Sequence, residues 1–540
     1  MMTGALAMVK CLEKEGVRVA FGYPGAAICP FYDALIDSSI HHILVRTEQN
    51  AAHAASGYAR ISGIPGVCIA TSGPGATNLL TGIASAYMDS IPMVVITGQV
   101  RSDLLGRDVF QEADITGAAE PFTKHSYLVK NASDIPRIFK EAFHIASTGR
   151  PGPVLIDVPI DMQKTSIPAF DYSTPVNIIG YKPRSQGHSL QIKKVIEALK
   201  ESERPVLCAG GGVFSANALK ELRVFVDRCG IPVICTMMGI GSLPTEHPLN
   251  MGMLGSHGCV PANKAIRDAD LVILAGARVG DRAVASPGQV AERAVVIHID
   301  IDPAEIGKNM PAHIPIVGDL RLVLSELAEN CDWKAPQDWV QQVTNRKMRY
   351  AQVQVQPIKG FIEPKSFMRT LSERMQPNAI ICADVGQNQI WSANNWIVRD
   401  GRFLTSGGMG TMGYSIPCAV GAKHASPSLQ VCAVCGDGSF QMSMMELGTI
   451  CQEKIGVKIV IMRNTCLGMV RELQDNHFGC RHSAICLDGS PDFVSIAKAY
   501  GIAARSISSN QEAESAIDEM LENDLPYLLV CNVSPDYPSR

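Results

Sequence analysis

Short Val/Ile/Ala-rich runs alternate with helical stretches along nearly the whole chain, and this alternation restricts the fold more than any other feature. From the start to about residue 165, VRVAFG, HHILVRT, GVCIAT and PMVVITG take turns with EQNAAHAASGYARIS and TNLLTGIASAYMD. Strands apolar on both faces and separated by helix-length segments build βαβ units, whose parallel sheet is covered by helices on both sides. Residues 166–188 (SIPAFDYSTPVNIIGYKPRSQGH) lose that periodicity and gather Pro, Ser, Gly and Tyr, as a connection does. A second block, 188–330, runs through PVLCAGGGV, IPVICTMMG, DLVILAG and AVVIHIDID. Residues 330–362, with CDWKAPQDW and VQVQPIKGFIEP, read as another polar, proline-bearing connection. The last block, 362–540, carries NAIICADVG, LQVCAVCGDGS, VKIVIMRN and PYLLVCNV. The expected fold is therefore α/β, with three consecutive domains (1–165, 188–330 and 362–540), each built on a central, mostly parallel sheet flanked by helices. No tandem repeat is visible.

Size and charge narrow the function classes. A chain of 540 residues exceeds what one hydrophobic core supports. No run approaches the ~18 uncharged apolar residues that cross a bilayer, so no membrane partner is expected. A net charge of -4 with both signs intermixed gives no footprint for nucleic acid, which leaves a small molecule as the expected partner. The amino end, MMTGALAMVKCLEKEGVRVAFGYPG, reads as an amphipathic helix and a strand, with charges where a signal peptide is apolar. Seventeen cysteines without fixed spacing suit reduced thiols, so a cytoplasmic location is expected.

Chemistry concentrates in GDGSFQMSMMELGTICQEKIGVKIVIMRN, residues 436–464. VCAVCGDG reads as a strand entering a tight turn, SMMELGTICQE as a helix and VKIVIMRN as the next parallel strand. A βαβ crossover then brings Asp437 and Asn464 to the same sheet edge. Mg2+ takes oxygen ligands and is often held by one or two protein groups together with a substrate diphosphate. The Asp437 carboxylate, the Asn464 amide oxygen and a carbonyl near Cys466 suit that demand. Glu48 follows the strand ILVR and opens a helix, where the dipole favours a carboxylate. SGGMGTMG contains a formal GxGxxG at Gly408, Gly410 and Gly413, but GRFLTS before it is a poor buried strand and the next acidic residue after a strand is Asp437 itself, so NAD is not the main reading. Cys432 and Cys435 fit CxxC, yet three residues apart in a strand they face opposite sides. His41-His42 reads as a solvated turn before a strand.

GDG followed about 25 residues later by Asn resembles the metal and diphosphate motif of thiamine-diphosphate enzymes, although Arg463-Asn464 stands where that family usually has Asn-Asn. The resemblance implies Glu48 beside the aminopyrimidine ring, and Gly410 and Met412 against the cofactor, with Met412 holding it bent. It also implies Gln387 on the diphosphate, Asn388 in place of the usual His, and Gly438, Ser439 and Met469 among the cofactor contacts. Within that family, FGYPGAAICPFYDAL, FQEADITG, RPGPVLIDVP, GMLGSHG, GARVGDR and CLGMVRELQ resemble acetolactate synthase over essentially the whole chain.

That resemblance implies decarboxylation of pyruvate and joining of the two-carbon unit to a second 2-keto acid, pyruvate or 2-ketobutyrate, in branched-chain amino-acid biosynthesis. The alternatives are another thiamine-diphosphate-dependent 2-keto-acid decarboxylase or carboligase, and an inactive relative. Gly25, Phe110, Gln111 and Arg282 would join Glu48 at the reacting centre. The middle domain, Rossmann-like, would hold a structural FAD through Gly210, Gly211, Gly212, Thr236, Met253, Leu254, His257, Gly276, Arg278, Asp300 and Asp319. A homodimer or tetramer with the active site between subunits, and a small regulatory subunit, are further implications. Two departures stand out, Ile160 for a Lys and Leu473 for a Trp; the loss of the Trp implies a wider acceptor pocket.

Overall fold

The computed structural model describes residues 2–351 and 356–540. Its β structure comprises three six-stranded sheets, parallel in every pairing, and one antiparallel ribbon of β1 (Met2–Thr3) with β8 (Ser166–Ile167). The first sheet contains β2 (Val19–Gly22), β3 (His41–Leu44), β4 (Gly66–Ala70), β5 (Met93–Gln99), β6 (His125–Leu128) and β7 (Pro153–Pro159), in the order β3-β2-β4-β5-β7-β6. The second contains β9 (Pro205–Ala209), β10 (Val233–Cys235), β11 (Asn250–Met253), β12 (Leu271–Ala275), β13 (Val295–Asp300) and β14 (Ile314–Val317), ordered β11-β10-β9-β12-β13-β14. The third contains β15 (Ile380–Ala383), β16 (Arg402–Leu404), β17 (Val431–Gly436), β18 (Val457–Arg463), β19 (Ala503–Ile507) and β20 (Tyr527–Asn532), ordered β16-β15-β17-β18-β20-β19. Numbered within each unit, the first and third sheets share one order, 2-1-3-4-6-5, and the second has 3-2-1-4-5-6. The latter is the doubly wound order of dinucleotide-binding folds.

The units are stacked in an order different from their order along the chain. One apolar core joins the first unit to the third, through Ala51, Ala55 and Ile83 on one side and Ile416, Ala419 and Val457 on the other. Another joins the second to the third, through Val213 and Phe225 and through Trp391, Cys432 and Val434. The third sheet is thus the central layer, and the outer faces of the first and second close with cores of their own. Across the first join, helix Glu48–Ser62 lies against helix Ser415–Ala425. Glycines allow backbone contact there: a Cβ on Gly57 would lie 2.1 Å from the Cys418 carbonyl oxygen, and one on Gly421 1.8 Å from that of Ala54. Arg60 at the end of the first helix donates to Thr405 O and Ser56 meets Tyr414, so the two helices run antiparallel.

Four local expectations change. The stretch 330–362 contains a 15-residue helix, Gln337–Ala351, whose Trp339 and Val343 are one turn apart and bury in the second unit's outer core; Val353–Val355 of VQVQPIKGFIEP lie outside the described residues. His41-His42 begins β3 instead of preceding it. His42 bonds Tyr32 Oη at 2.9 Å, with burial pushing its pKa down to about 4, and His41 meets Glu453 at 3.1 Å. GRFLTS forms the edge strand β16 with Phe403 and Leu404 buried. The tight turn expected at GDG is a helix, Asp437–Ser443, starting on Asp437 itself. Cys432 and Cys435 do face opposite sides of β17, one in each shared core.

Candidate active site

Two clusters hold the residues singled out for catalysis and cofactor binding. The first lies at the carboxyl edge of the first sheet. Glu48 opens its helix behind the Thr47 cap, whose side chain accepts from Asn50 N at 3.4 Å. Asn78 Nδ2 donates to Glu48 Oε2 at 3.0 Å, and a Cβ on Gly75 would stand 3.2 Å from Oε1. Thr71, just beyond β4, backs both Gly75 and Gly25: a Cβ on either would lie within 3 Å of its side chain. Gln111, at φ +59, packs against Gly73, while neighbouring Phe110 is 86% exposed. Glu446, a residue the sequence reading missed, reaches over from the third unit. It accepts from Arg46 N at 2.8 Å and from Asn50 Nδ2 at 3.0 Å, and so pins the helix start that carries Glu48.

The second cluster lies at the carboxyl edge of the third sheet. Because β17 and β18 are adjacent and parallel, Asp437 and Asn464 emerge side by side. Asp437 accepts from Gly438 N at 3.0 Å and Thr465 N at 2.7 Å, and burial pushes its pKa up to about 6. No Lys or Arg among the described residues forms an ion pair with it. Asn464 Oδ1 accepts from Cys466 N at 3.2 Å, and the Cys466 carbonyl receives no backbone hydrogen bond among the described residues. A buried carboxylate with no ion-pair partner, near only the Arg463 charge, an amide oxygen and a free carbonyl fit a hard divalent cation. No group of three or more His, Cys, Asp or Glu placed to hold a metal occurs among the described residues.

Glycine backbones and helix starts surround this pair. A Cβ on Gly438 would stand 2.9 Å from Leu467 Cδ2 and 3.5 Å from Met412 Cε, which puts Met412 over the GDG segment. Ser439 Oγ bonds Gly436, and Asn388 Nδ2 bonds the Asp384 and Val434 carbonyls. Helices Gln387–Asn395 and Gly468–His477, the latter with Met469 in its first turn, begin at this edge. Helix starts with free N–H groups suit phosphate oxygens. Asp384, fully buried at the end of β15, was also missed: its carboxylate takes Gly413 N at 2.9 Å and Ser415 N at 2.8 Å and so fixes the loop of Gly410 and Met412. An Asp just after an apolar strand, in ADVGQNQIW, was the available signal.

Three domain models match the chain: the N-terminal TPP binding domain of thiamine pyrophosphate enzymes over 2–118, their central domain over 192–327 and their C-terminal TPP binding domain over 384–531. The chain is 47% identical to the probable acetolactate synthase large subunit of Methanocaldococcus jannaschii (99% of this chain, 92% of that one). It is 44% identical to the acetolactate synthase large subunit of Corynebacterium glutamicum (99% and 87%), and 42% identical to the acetolactate synthase isozyme 2 large subunit of Escherichia coli (98% and 95%). The chain belongs to the acetolactate synthase large-subunit family. It is thereby a thiamine-diphosphate-dependent enzyme chain.

Glu48 and the Asp437 cluster thus stand on different units, the first and the third. The Met412 loop borders the first unit, where Thr411 meets Ser85 at 2.6 Å and Arg60 donates to Thr405 O. No hydrogen bond joins Glu48 to the Asp437 cluster among the described residues. Arg282 is 79% exposed and pairs only loosely with Asp281, at 3.7 Å, while its carbonyl accepts from Ser256 N. Leu473, also exposed, stands on the helix of Met469. Ile160 begins the short helix after β7.

In the central domain, Gly210 and Gly212 follow β9 and face Gly276 after β12, at the point where the strand order reverses. Gly212 N donates to Gly276 O, and a Cβ on Gly210 would lie 2.1 Å from that oxygen, so these glycines first serve backbone packing. Gly211 stays open on that side, with only Met238 near. Thr236 and Leu254 are tied by backbone bonds to Ala209 and Cys235, and Met253 ends β11. The His257 carbonyl accepts from Asn394 Nδ2, and that of Arg278 from Asn309 Nδ2. Asp300 accepts from Asp302 N, with burial raising its pKa, and Asp319 caps helix Leu320–Asn330.

Proposed function

We propose that the chain decarboxylates pyruvate and joins the two-carbon unit to a second 2-keto acid, pyruvate or 2-ketobutyrate, using thiamine diphosphate and Mg2+. The observation that carries this reading is the buried Asp437 beside Asn464 on adjacent strand ends, a carboxylate that no Lys or Arg ion-pairs among the described residues. Asp437, Asn464 and the Cys466 carbonyl would hold Mg2+, with the amides of Gly438, Ser439 and Met469 turned to the diphosphate. Asn388 and Gln387 stand in the same cradle, although the Gln387 side chain is already engaged within the protein. When bound, thiamine diphosphate supplies the electron sink for loss of CO2. Glu48 would share a proton with the aminopyrimidine, its Oε2 steadied by Asn78. Gly410 and Met412 would shape the wall behind the ring, and Gly25, Phe110 and Gln111 would cover the reacting carbon. Arg282 would take the carboxylate of the second keto acid, a task for a guanidinium fork.

The placement of Glu48 and Asp437 on different units, with no hydrogen bond between them among the described residues, supports a site completed by a second copy, hence a homodimer or a dimer of dimers. A small regulatory subunit is a further expected partner. For the central crevice we propose FAD in a structural role. The doubly wound order and the open Gly211 support it, and flavin absorbance in the purified protein tests it.

The decisive experiment is product formation from pyruvate alone and with 2-ketobutyrate, beside Glu48→Gln. Acetolactate, with turnover lowered by about 10²–10⁴-fold in the variant, supports both the reaction and the role of Glu48. Acetaldehyde, or no CO2, overturns the reading.

A further inference from the structure

The side chain of Gln387 is held on every side. Its Nε2 donates to Glu472 Oε1 at 2.7 Å and to the Tyr537 carbonyl at 3.1 Å, and its Oε1 accepts from Asn464 Nδ2 at 2.9 Å. These bonds have a direction. A carboxylate can only accept, so Nε2 must face it, Oε1 must face away, and Asn464 must answer with its amino group. Asn464 Oδ1 is thereby turned to the Cys466 amide, beside the loop that bonds Asp437. The two ends of an Asn amide have nearly the same shape, and only the oxygen attracts a cation. Something must therefore choose the end that is offered.

We propose that Glu472 is a positioning residue that sets, through Gln387, the amide orientation of Asn464 and so the oxygen presented to a divalent cation. The inference rests on reading Asp437 and Asn464 as cation ligands. Glu472 suits the task because its carboxylate is fixed from behind: Ser539 N donates to Oε1 at 2.6 Å and Ser539 Oγ to Oε2 at 2.7 Å. No Lys or Arg forms an ion pair with it among the described residues; Lys365 and His257 lie within reach of its charge, but its hydrogen bonds go to amide and hydroxyl donors, where the charge strengthens each one. Nothing in the reaction asks Glu472 to touch substrate.

The test is calorimetric titration of Mg2+ into the full chain with saturating thiamine diphosphate, for the wild type, Glu472→Ala, Glu472→Gln and Ser539→Ala. Partners behind metal ligands typically change affinity by about 10–100-fold, so Glu472→Ala should weaken Mg2+ by about tenfold or more. Glu472→Gln, nearly isosteric and able to present either end, should weaken it by less. Turnover at saturating Mg2+ should change by less than about twofold, which puts the effect on the Mg2+ requirement and away from the chemical step. Ser539→Ala removes only the Oγ bond to Oε2 and keeps the Ser539 N and Gln387 contacts on Oε1, so it should weaken Mg2+ clearly less than Glu472→Ala does. Unchanged affinity in Glu472→Ala, or equal weakening in Ser539→Ala, overturns the relay. A wild-type chain that takes up no Mg2+ with the cofactor instead overturns the reading of the site itself.

Discussion

Asp157 is a carboxyl group with almost no water around it. It sits in β7, receives Thr97 Oγ1 at 2.7 Å and Gln99 Nε2 at 2.9 Å, and burial pushes its pKa up to about 7. A folded-state pKa above the unfolded one means that its contribution to stability is complete below about pH 4 and is lost as pH rises through about 7. Thermal melts should therefore show stability falling between about pH 4 and 7, and Asp157→Asn should flatten that dependence; an unchanged slope would remove Asp157 as its source. Arg60 and Asp89 pose the opposite case. They form a buried ion pair at 2.8 Å, and Asp89 also accepts from Gly407 N and Gly408 N. Arg60→Ala should cost about 3–5 kcal/mol in a denaturant melt, because it leaves that carboxylate unpaired. The positions of Glu48 at a helix start and of Asp437 and Asn464 at strand ends were legible in the sequence because local spacing fixes them there. Glu446, Glu472 and Asp384 were not, since each acts through a partner at least 29 positions away.

At the level of elements, the sequence revealed strands that are buried on both faces and hid several at sheet margins, although the edge strand β3 was read from HHILVRT. β4, β5, β9, β12 and β17 are nearly continuous apolar runs, and all were read correctly. β6 (HSYL), β16 (RFL) and β19 (AARSI) are edge strands with polar or half-exposed positions, and they give no comparable run. Helix Gln337–Ala351 was hidden for the reverse reason: only a narrow stripe of a polar helix buries. The contact between Glu48–Ser62 and Ser415–Ala425 was equally invisible, because small residues carry no pattern of their own. Gly57→Ala should cost at least about 1–3 kcal/mol, as overpacking does, with a lower unfolding midpoint. A midpoint matching the wild type would mean that the helices separate without penalty.

For the whole molecule, the three-unit α/β architecture followed from alternation alone, but the stacking order did not, since nothing local says which unit lies between the others. The placement of the two clusters on different units also makes a prediction that needs two chains. Mixing Glu48→Gln with Asp437→Ala chains should restore activity, up to about a quarter of wild type, because half of randomly paired dimers are mixed and each has one intact site. Mixtures as inactive as their components would place both residues of a site on one chain. The central position of the last unit has a consequence for how such a chain is made. Helix Glu48–Ser62 leaves the ribosome roughly 350 residues before Ser415–Ala425, the surface it packs on, which at about 5–20 residues per second is roughly 20–70 s of synthesis. Throughout that interval the nascent first unit displays a sticky, alanine-lined face, so it is the stretch for which a cell must keep a chaperone at hand.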